Sequence, residues 1–337
     1  MNAQTVTDYI TDLSGPRGLL LNGNDLYIAE ATAGKILKVD ITQASPTPVE
    51  VVTGLIQPRA LALDTNNNML YIAEWGNERI IKINITQSSP TLQVVTTNIT
   101  TPYSLALSGN ELFIADSLIG KILKLNITDA IPTVSTEVIT GLGYPQSIAI
   151  NGNDLYISEG TNDLISKIDV TQTTPTKTIV LATTGSPFHM SMISGKLYFT
   201  EIVTDKLASL DVNAATPTTS TDVVTGINGA YGLVYDGTDF YVGALFDNKI
   251  VKVENLLSIN ENEFNKNNVK IYPNPTSSFL KISGLQKPEP YKIYNNLGQQ
   301  VTSGTISKSE SIDVTKYMNG IYLITFSSGT SHKFIKK

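Results

Sequence analysis

A Pro-led apolar motif recurs through three quarters of this chain at near-constant spacing. Copies begin at Pro16, Pro58, Pro102, Pro145 and Pro187, and a sixth has Ala230 in the proline position, so successive spacings are 42, 44, 43, 42 and 43 residues. Two further motifs keep the same phase. One is LYIAE (26–30), LYIAE (70–74), LFIAD (112–116), LYISE (155–159), LYFTE (197–201) and FYVGA (240–244). The other is KILKVD (35–40), RIIKIN (79–84), KILKLN (121–126), LISKID (164–169), KLASLD (206–211) and KIVKVE (249–254). A unit of ~40–45 residues cannot bury its apolar face alone, so a repeat of this period must fold as a stacked array or a closed ring.

Each copy reads as four strands. The first is short and almost wholly apolar, as in 61–63 and 148–150, which predicts burial on both faces. Asn22-Gly23, Asn151-Gly152 and Asp236-Gly237 are strong hairpin signals after it. The second and third strands are the LYIAE-type and KILKVD-type motifs. A Ser/Thr/Pro-rich loop such as 41–48 leads to a fourth strand, predicted at Val49–Val52 and Gln93–Thr96 in the first two copies. No helical periodicity separates the strands, which disfavours a parallel βαβ fold. Four-stranded units repeated radially predict a β-propeller. The sixth copy stops after its third strand, and residues 5–11 occupy the place before Pro16 that Val49–Thr53 occupies before Pro58. The expected fold is therefore all-β: a six-bladed β-propeller (1–256) closed by an N-terminal strand, then a linker (257–268) and a small C-terminal β-sandwich (269–337). The pattern clearest at LYIAEWGNERI (70–80) resembles NHL-type propeller repeats, and more distantly YWTD and gluconolactonase-like propellers. That resemblance implies fold, not function.

The charge divides with the modules. The formal net charge of −6 is the sum of −12 over residues 1–267 (15 Lys+Arg, 27 Asp+Glu) and +6 over 268–337 (9 Lys, 3 acids). The polar stretch 260–268 between them reads as the linker. Residues 269–337 read as short strands at 269–272, 279–282, 291–294, 311–314, 321–326 and 333–335. The segments IYPNPTSS (271–278), KIYNNLGQQV (292–301), NGIYLITF (319–326) and HKFIKK (332–337) resemble the type A C-terminal sorting domain of the type IX secretion system of Bacteroidota. The resemblance makes Tyr272, Pro273, Asn274, Pro275, Gly298, Gly320, Tyr322, Lys336 and Lys337 the sorting-signal residues. It implies recognition by the secretion machinery and a secreted or outer-membrane surface-attached protein. Such a route needs a signal peptide, and the start Met1-Asn2-Ala3-Gln4 reads as a mature N-terminus preceded by a start methionine.

Composition narrows the chemistry. With no Cys, the chain excludes disulfides, thiolate metal sites and cysteine nucleophiles, and with only His189 and His332 it disfavours multi-histidine sites. The acidic balance argues against nucleic acid, and no apolar run approaches the ~20 residues of a membrane span. No cofactor is expected.

Antiparallel connectivity places the starts of first strands and the ends of second strands on one face. The residues after each motif proline should therefore surround the axis there: Arg17, Arg59, Tyr103, Gln146, Phe188 and Tyr231. Two arginines with three aromatics could grip a glycan or an acidic peptide, or could only fill a narrow channel. Trp75, in the loop after the second strand, could be a ligand platform or a lid over the neighbouring blade. Glu30, Glu74, Asp116, Glu159 and Glu201 form an acidic ring, but a base five residues on (Lys35, Arg79, Lys121, Lys206) predicts repeated structural ion pairs. Leu164 breaks this pairing for Glu159, which therefore stands out as a candidate ligand-contacting acid. The Asn/Asp-rich turns 22–25 and 64–68 lack the ligand spacing of calcium loops. The acceptor-like triplets at Asn84, Asn98 and Asn126 read as repeat-loop residues. The favoured expectation is a secreted or cell-surface binding module taking a glycan or protein at the central mouth. The alternative is a metal-dependent gluconolactonase-like hydrolase, against which stands the lack of an axial carboxylate. A purely structural surface role is a third.

Overall fold

A computed structural model describes residues 4–97, 99–183, 185–254, 270–283, 285, 288–295, 300–307, 310–326 and 331–337. The expected linker, Asn98 and the sorting residue Gly298 lie outside the described residues. The chain divides into two compact units, Met1–Leu256 and Leu257–Lys337.

The first unit contains, among the described residues, six four-stranded antiparallel sheets, here numbered one to six in the order of their first strands. Sheet one is Pro16–Asn22, Asp25–Glu30, Lys35–Asp40 and Val49–Val52, and the next four copy it at the repeat spacing. In sheet six the strands Ala230–Tyr235, Phe240–Ala244 and Lys249–Glu254 are joined by Thr5–Ile10, whose Thr5 pairs with Glu254 and Val6 with Val253. Six apolar clusters fill the spaces between successive sheets. Tyr27 and Ile36 meet Leu70 and Ile81, for example, and Phe113 meets Leu155 and Ile157. The sixth cluster joins Val234, Tyr241 and Ile250 of sheet six to Leu19, Leu26 and Ile28 of sheet one, with Ile10 among them.

The first strand is buried on both faces where adjacent residues such as Leu61 and Ala62 or Ile148 and Ala149 are covered, and the second strand is buried more completely. Leu26, Ile28 and Ala29 are 0% exposed, whereas Arg17, Leu20 and Leu21 of the first strand are partly exposed. The second strand lies inside its sheet with a neighbouring sheet against each face, so its side chains after the first position are buried. The first strand is the sheet's edge and keeps part of its surface open.

Hydrogen bonds repeat with the fold. The residue before each third strand is in the left-handed region: Gly34, Glu78, Gly120, Asp163, Asp205 and Asn248, with φ between 48° and 66°. Its carbonyl accepts from the N–H of a residue one to three positions after the fourth strand: Leu55, Ile99, Leu142, Thr183 and Ile227. The sixth instance runs from Leu13 N–H to the Asn248 carbonyl at 2.9 Å, joining the two ends of the unit. The hairpin after the first strand is Gly23-Asn24, since Asn22 pairs with Asp25, and Gly23 takes the positive φ of 58°. Glycine thus stands at the first turn position, where a primed turn with one left-handed residue needs it.

The second unit pairs Lys270–Tyr272, Phe279–Ser283 and Ser311–Asp313 in one sheet. Glu289–Asn295, Gln300–Ile306, Gly320–Phe326 and Ser331–Lys336 form another. Both sheets share one core, with Leu280, Ile282 and Ile312 against Ile293, Ile324 and Phe334. The strand Gln300–Ile306 was not expected from the sequence. It is an edge strand with mainly exposed polar side chains, so it carries no apolar alternation. The two ends of the unit are tied together: Asn274 donates to the Lys333 carbonyl at 2.9 Å and accepts from Ile335 N–H at 2.9 Å. Lys337 N–H donates to the Thr276 carbonyl at 2.8 Å.

Candidate functional site

The register between first and second strands slips immediately after every motif proline. In sheet two Pro58 pairs with Glu74 but Ala60 pairs with Ala73, leaving Arg59 as the extra residue, and equivalent slips follow Pro16, Pro102, Pro145, Pro187 and Ala230. An extra residue bends the strand and re-aims its side chain. These bulges turn the post-proline residues away from the sheets.

Most of the expected mouth residues meet there. The Arg17 guanidinium lies 5.0 Å from the Tyr231 ring centre, Tyr231 is 4.2 Å from Phe188, and Phe188 is 5.9 Å from Tyr103. Arg59 lies 4.3 Å from Tyr103 on one side and 4.5 Å from Trp75 on the other. A continuous chain of cation–π and ring contacts therefore runs through residues of sheets one, six, five, three and two. Trp75 is a stacking partner of Arg59. Its place comes from the hydrogen bond of Trp75 N–H to the Gln57 carbonyl at 3.2 Å and from the short 3-10 turn Trp75–Asn77. Tyr144 also joins, 5.7 Å from Tyr103, and burial raises the pKa of its hydroxyl. The sequence hinted at Tyr144 only through its position before Pro145. Gln146 stays apart: its side chain accepts from the Ser186 hydroxyl at 3.4 Å and packs where a Gly160 side chain would lie.

Several polar atoms in this cluster have no well-formed hydrogen bond within the protein. Arg59 Nε and Nη1, Trp75 Nε1 and Tyr231 Oη are buried with no well-formed hydrogen bond, as is Nδ1 of His189, which follows Phe188. Burial is the main cause that raises the Tyr231 hydroxyl pKa, opposed by the neighbouring arginine charges. Burial pushes the His189 imidazole down to about 4, so it is neutral at pH 7. Arg17 and Arg59 make no ion pair among the described residues, whereas Lys35, Lys38, Arg79, Lys177, Lys206 and Lys249 all do. Buried unmatched donors are rare in folded proteins and point to a further partner.

The acidic ring has other work. Glu30 accepts from Ser14 N–H at 2.6 Å, Glu74 from Ile56 N–H at 2.9 Å, and Asp116 from Thr100 and Thr101 N–H at 2.9 and 2.8 Å. Each acid thereby holds the loop that enters its own sheet. Glu201 does so through the Thr183 hydroxyl at 2.7 Å. The expected ion pairs form at Glu30–Lys35, Glu74–Arg79 and Glu201–Lys206, at 3.5, 2.5 and 3.2 Å. The pair Asp116–Lys121 does not form, because Lys121 reaches Glu137 on the adjacent strand at 2.6 Å.

Glu159 is neither unpaired nor in contact with the mouth. It is 0% exposed and accepts from Gly143 N–H at 2.8 Å, Ser166 at 2.7 Å, Asn162 at 3.1 Å and Lys177 at 3.1 Å. Burial would raise its pKa, but these hydrogen bonds and the Lys177 charge lower it. Lys177 escapes a rule based on a five-residue spacing because it lies at the entry to the fourth strand. Among the described residues no group of three or more His, Asp or Glu side chains could hold a metal. The triplets at Asn84 and Asn126 are side-chain turns, with Thr86 and Thr128 N–H donating to the asparagine oxygens at 2.9 and 3.0 Å.

The fold is that of the β-propeller proteins it resembles among solved structures. A gluconolactonase from Xanthomonas campestris aligns with a TM-score of 0.63 at 11% identity, covering 74% of this chain and 89% of that one. Virginiamycin B lyase from Staphylococcus aureus aligns at 0.56 and 16%, covering 75% and 99%. A chain of a nidogen/laminin complex aligns at 0.58 and 15%, covering 64% and 83%. No curated protein sequence matches the chain. Residues 270–337 match the family described as the secretion system C-terminal sorting domain. A tail of this kind indicates export, with release or attachment at the cell surface, and interaction with the secretion machinery. No helix among the described residues is long and apolar enough to cross a membrane.

Proposed function

We propose that residues 1–256 form a six-bladed, NHL-like propeller closed by the N-terminal strand, exported by the type IX route on the sorting domain 269–337. Its function is to bind an extracellular ligand, glycan or protein, at the mouth formed by Arg17, Arg59, Trp75, Tyr103, Phe188 and Tyr231. One observation carries this reading: buried donors without partners gather where two unpaired arginines and four aromatic rings meet. Donors left unmatched in a partly dry site gain most from a polar ligand atom. A hydrolase of gluconolactonase type would want carboxylates at the axis, and the acids nearest it are turned to their own loops. The test is an array of extracellular glycans and proteins probed with the full chain and with the double variant Arg17→Ala/Arg59→Ala. The reading predicts a ligand whose binding the variant loses. Binding that is unchanged for every ligand found would overturn it.

A further inference from the structure

Exposed apolar side chains lie in loops of sheets two, three, five and six at the end where the mouth opens. The loops between second and third strands carry Leu118 and Ile119 in sheet three, Val203 in sheet five and Phe246 in sheet six, and Ile56 lies in the loop entering sheet two. Leu118, Val203 and Phe246 are 65%, 69% and 62% exposed. Hydrogen bonds tie these loops to the entries of the first strands. Leu118 N–H donates to Thr101 Oγ1 at 2.6 Å, Val203 N–H to the Gly185 carbonyl at 3.3 Å, and Gly76 N–H to the Ile56 carbonyl at 3.0 Å. Phe246 lies against Gly229, where a side chain would collide with its ring. These rim side chains therefore lie on the same face as the Arg–aromatic centre.

Leu118, Ile119, Val203 and Ile56 are aliphatic, and such exposed apolar side chains suit hydrocarbon side chains of a partner better than sugar hydroxyls. The centre presents Arg17 and Arg59 without ion-pair partners, which calls for an anion. The surrounding unit is acidic, −12 over residues 1–267. That field repels a chain of repeated negative charges, such as a polyuronate or a nucleic acid, while one carboxylate can reach the two arginines.

Building on the reading of the mouth as a binding site, we infer that its partner is an extended polypeptide segment presenting a single carboxylate among apolar side chains. The carboxylate sits at Arg17 and Arg59, and the flanking side chains lie on Leu118, Ile119, Val203 and Phe246.

The test titrates the full chain with four labelled probes. These are an eight-residue leucine-rich peptide with one central glutamate, the same peptide with glutamine there, an oligogalacturonate, and its neutral oligosaccharide counterpart. The glutamate peptide should bind, with the glutamine peptide weaker by roughly tenfold or more, as loss of a charged hydrogen bond implies. Leu118→Ser and Phe246→Ser change exposed residues and should each weaken the peptide several-fold with an unaltered melting temperature. Arg59→Gln should equalise the two peptides, with circular dichroism checking its fold. Preference for the oligogalacturonate, insensitive to the rim variants but lost in Arg59→Gln, would overturn the polypeptide partner and leave the mouth as a binding site. Peptide binding unaltered in Arg59→Gln would overturn both readings. Absence of peptide binding at about 1 mM would overturn the inference alone.

Discussion

The Glu159 carboxylate accepts four donors with none of its surface exposed, so its removal strands a backbone N–H, a hydroxyl and part of a lysine charge. Glu159→Ala should destabilise the first unit by on the order of 2–3 kcal/mol in urea unfolding, and Glu159→Gln by less because it keeps an acceptor. Its lowered pKa fixes the sign of the pH effect. The stabilising contribution is present above about 4.5, the ordinary value, and is lost as pH falls through the lower folded value. His189 acts over a different window. Its folded pKa of about 4 lies below the ordinary 6.5, so the unfolded chain takes the proton first, and stability declines as pH falls from 6.5 towards 4. His189→Gln should flatten that part of the urea midpoint-versus-pH curve and leave the steeper acid limb below it. At this scale residue identities are legible in the sequence and their partners are not. Arg59, Tyr103 and Trp75 could be placed on one face by counting strands, but their stacking depended on bulges that no local motif announces. Glu159 was read as unpaired because its lysine lies 18 residues away, across a loop whose path only the fold defines.

Within an element, backbone conformation rather than side-chain type repeats. The position before each third strand is Gly, Glu, Gly, Asp, Asp and Asn through the six copies, so the shared left-handed geometry is hidden from a residue comparison. Asp163, Asp205 and Asn248 also use it to accept from Ser186, Gly229 and Gly15 N–H in the following sheet, at 3.1, 2.7 and 3.0 Å. Glu78 makes no such contact among the described residues. Glu78→Gly should therefore stabilise by about 0.5–1 kcal/mol, the left-handed strain relieved less the glycine entropy, as measured by urea midpoint. Gly18 is a harder case. A side chain there would meet the Arg59 carbonyl at 2.5 Å, so Gly18→Val should cost ~3 kcal/mol or more and disturb Arg59 as well. Strand positions were legible because three apolar motifs recur in one phase between turn signals. Fourth strands fall at Val49–Val52 and Gln93–Thr96 as read. The polar edge strand Gln300–Ile306 was not, since one exposed face and one rim leave no pattern to find.

Across the whole first unit, the sixth sheet joins one strand from the start of the unit to three from its other end. Deleting residues 1–11 removes Ile10 from an apolar cluster and exposes the edge of Lys249–Glu254. The melting temperature should fall by ~10 °C or more, at about 2–4 °C per kcal/mol for a unit of this size, and an unchanged value would refute closure by that strand. The repeat period made this organisation readable, and the charge reversal marked the second module. The ligand stayed out of reach, because the mouth residues do not repeat from sheet to sheet as the strand motifs do, as Arg59, Tyr103 and Phe188 show. The central claim is that ligand is taken on the face where first strands begin. Hydrogen–deuterium exchange of the full chain, with and without the leucine–glutamate peptide, tests it most directly. The account predicts added protection at 56–59, 75–77, 101–103 and 229–231. Protection confined to the opposite hairpins, at 22–24 and 66–68, or to the Ser/Thr/Pro loops at 42–48 would contradict it.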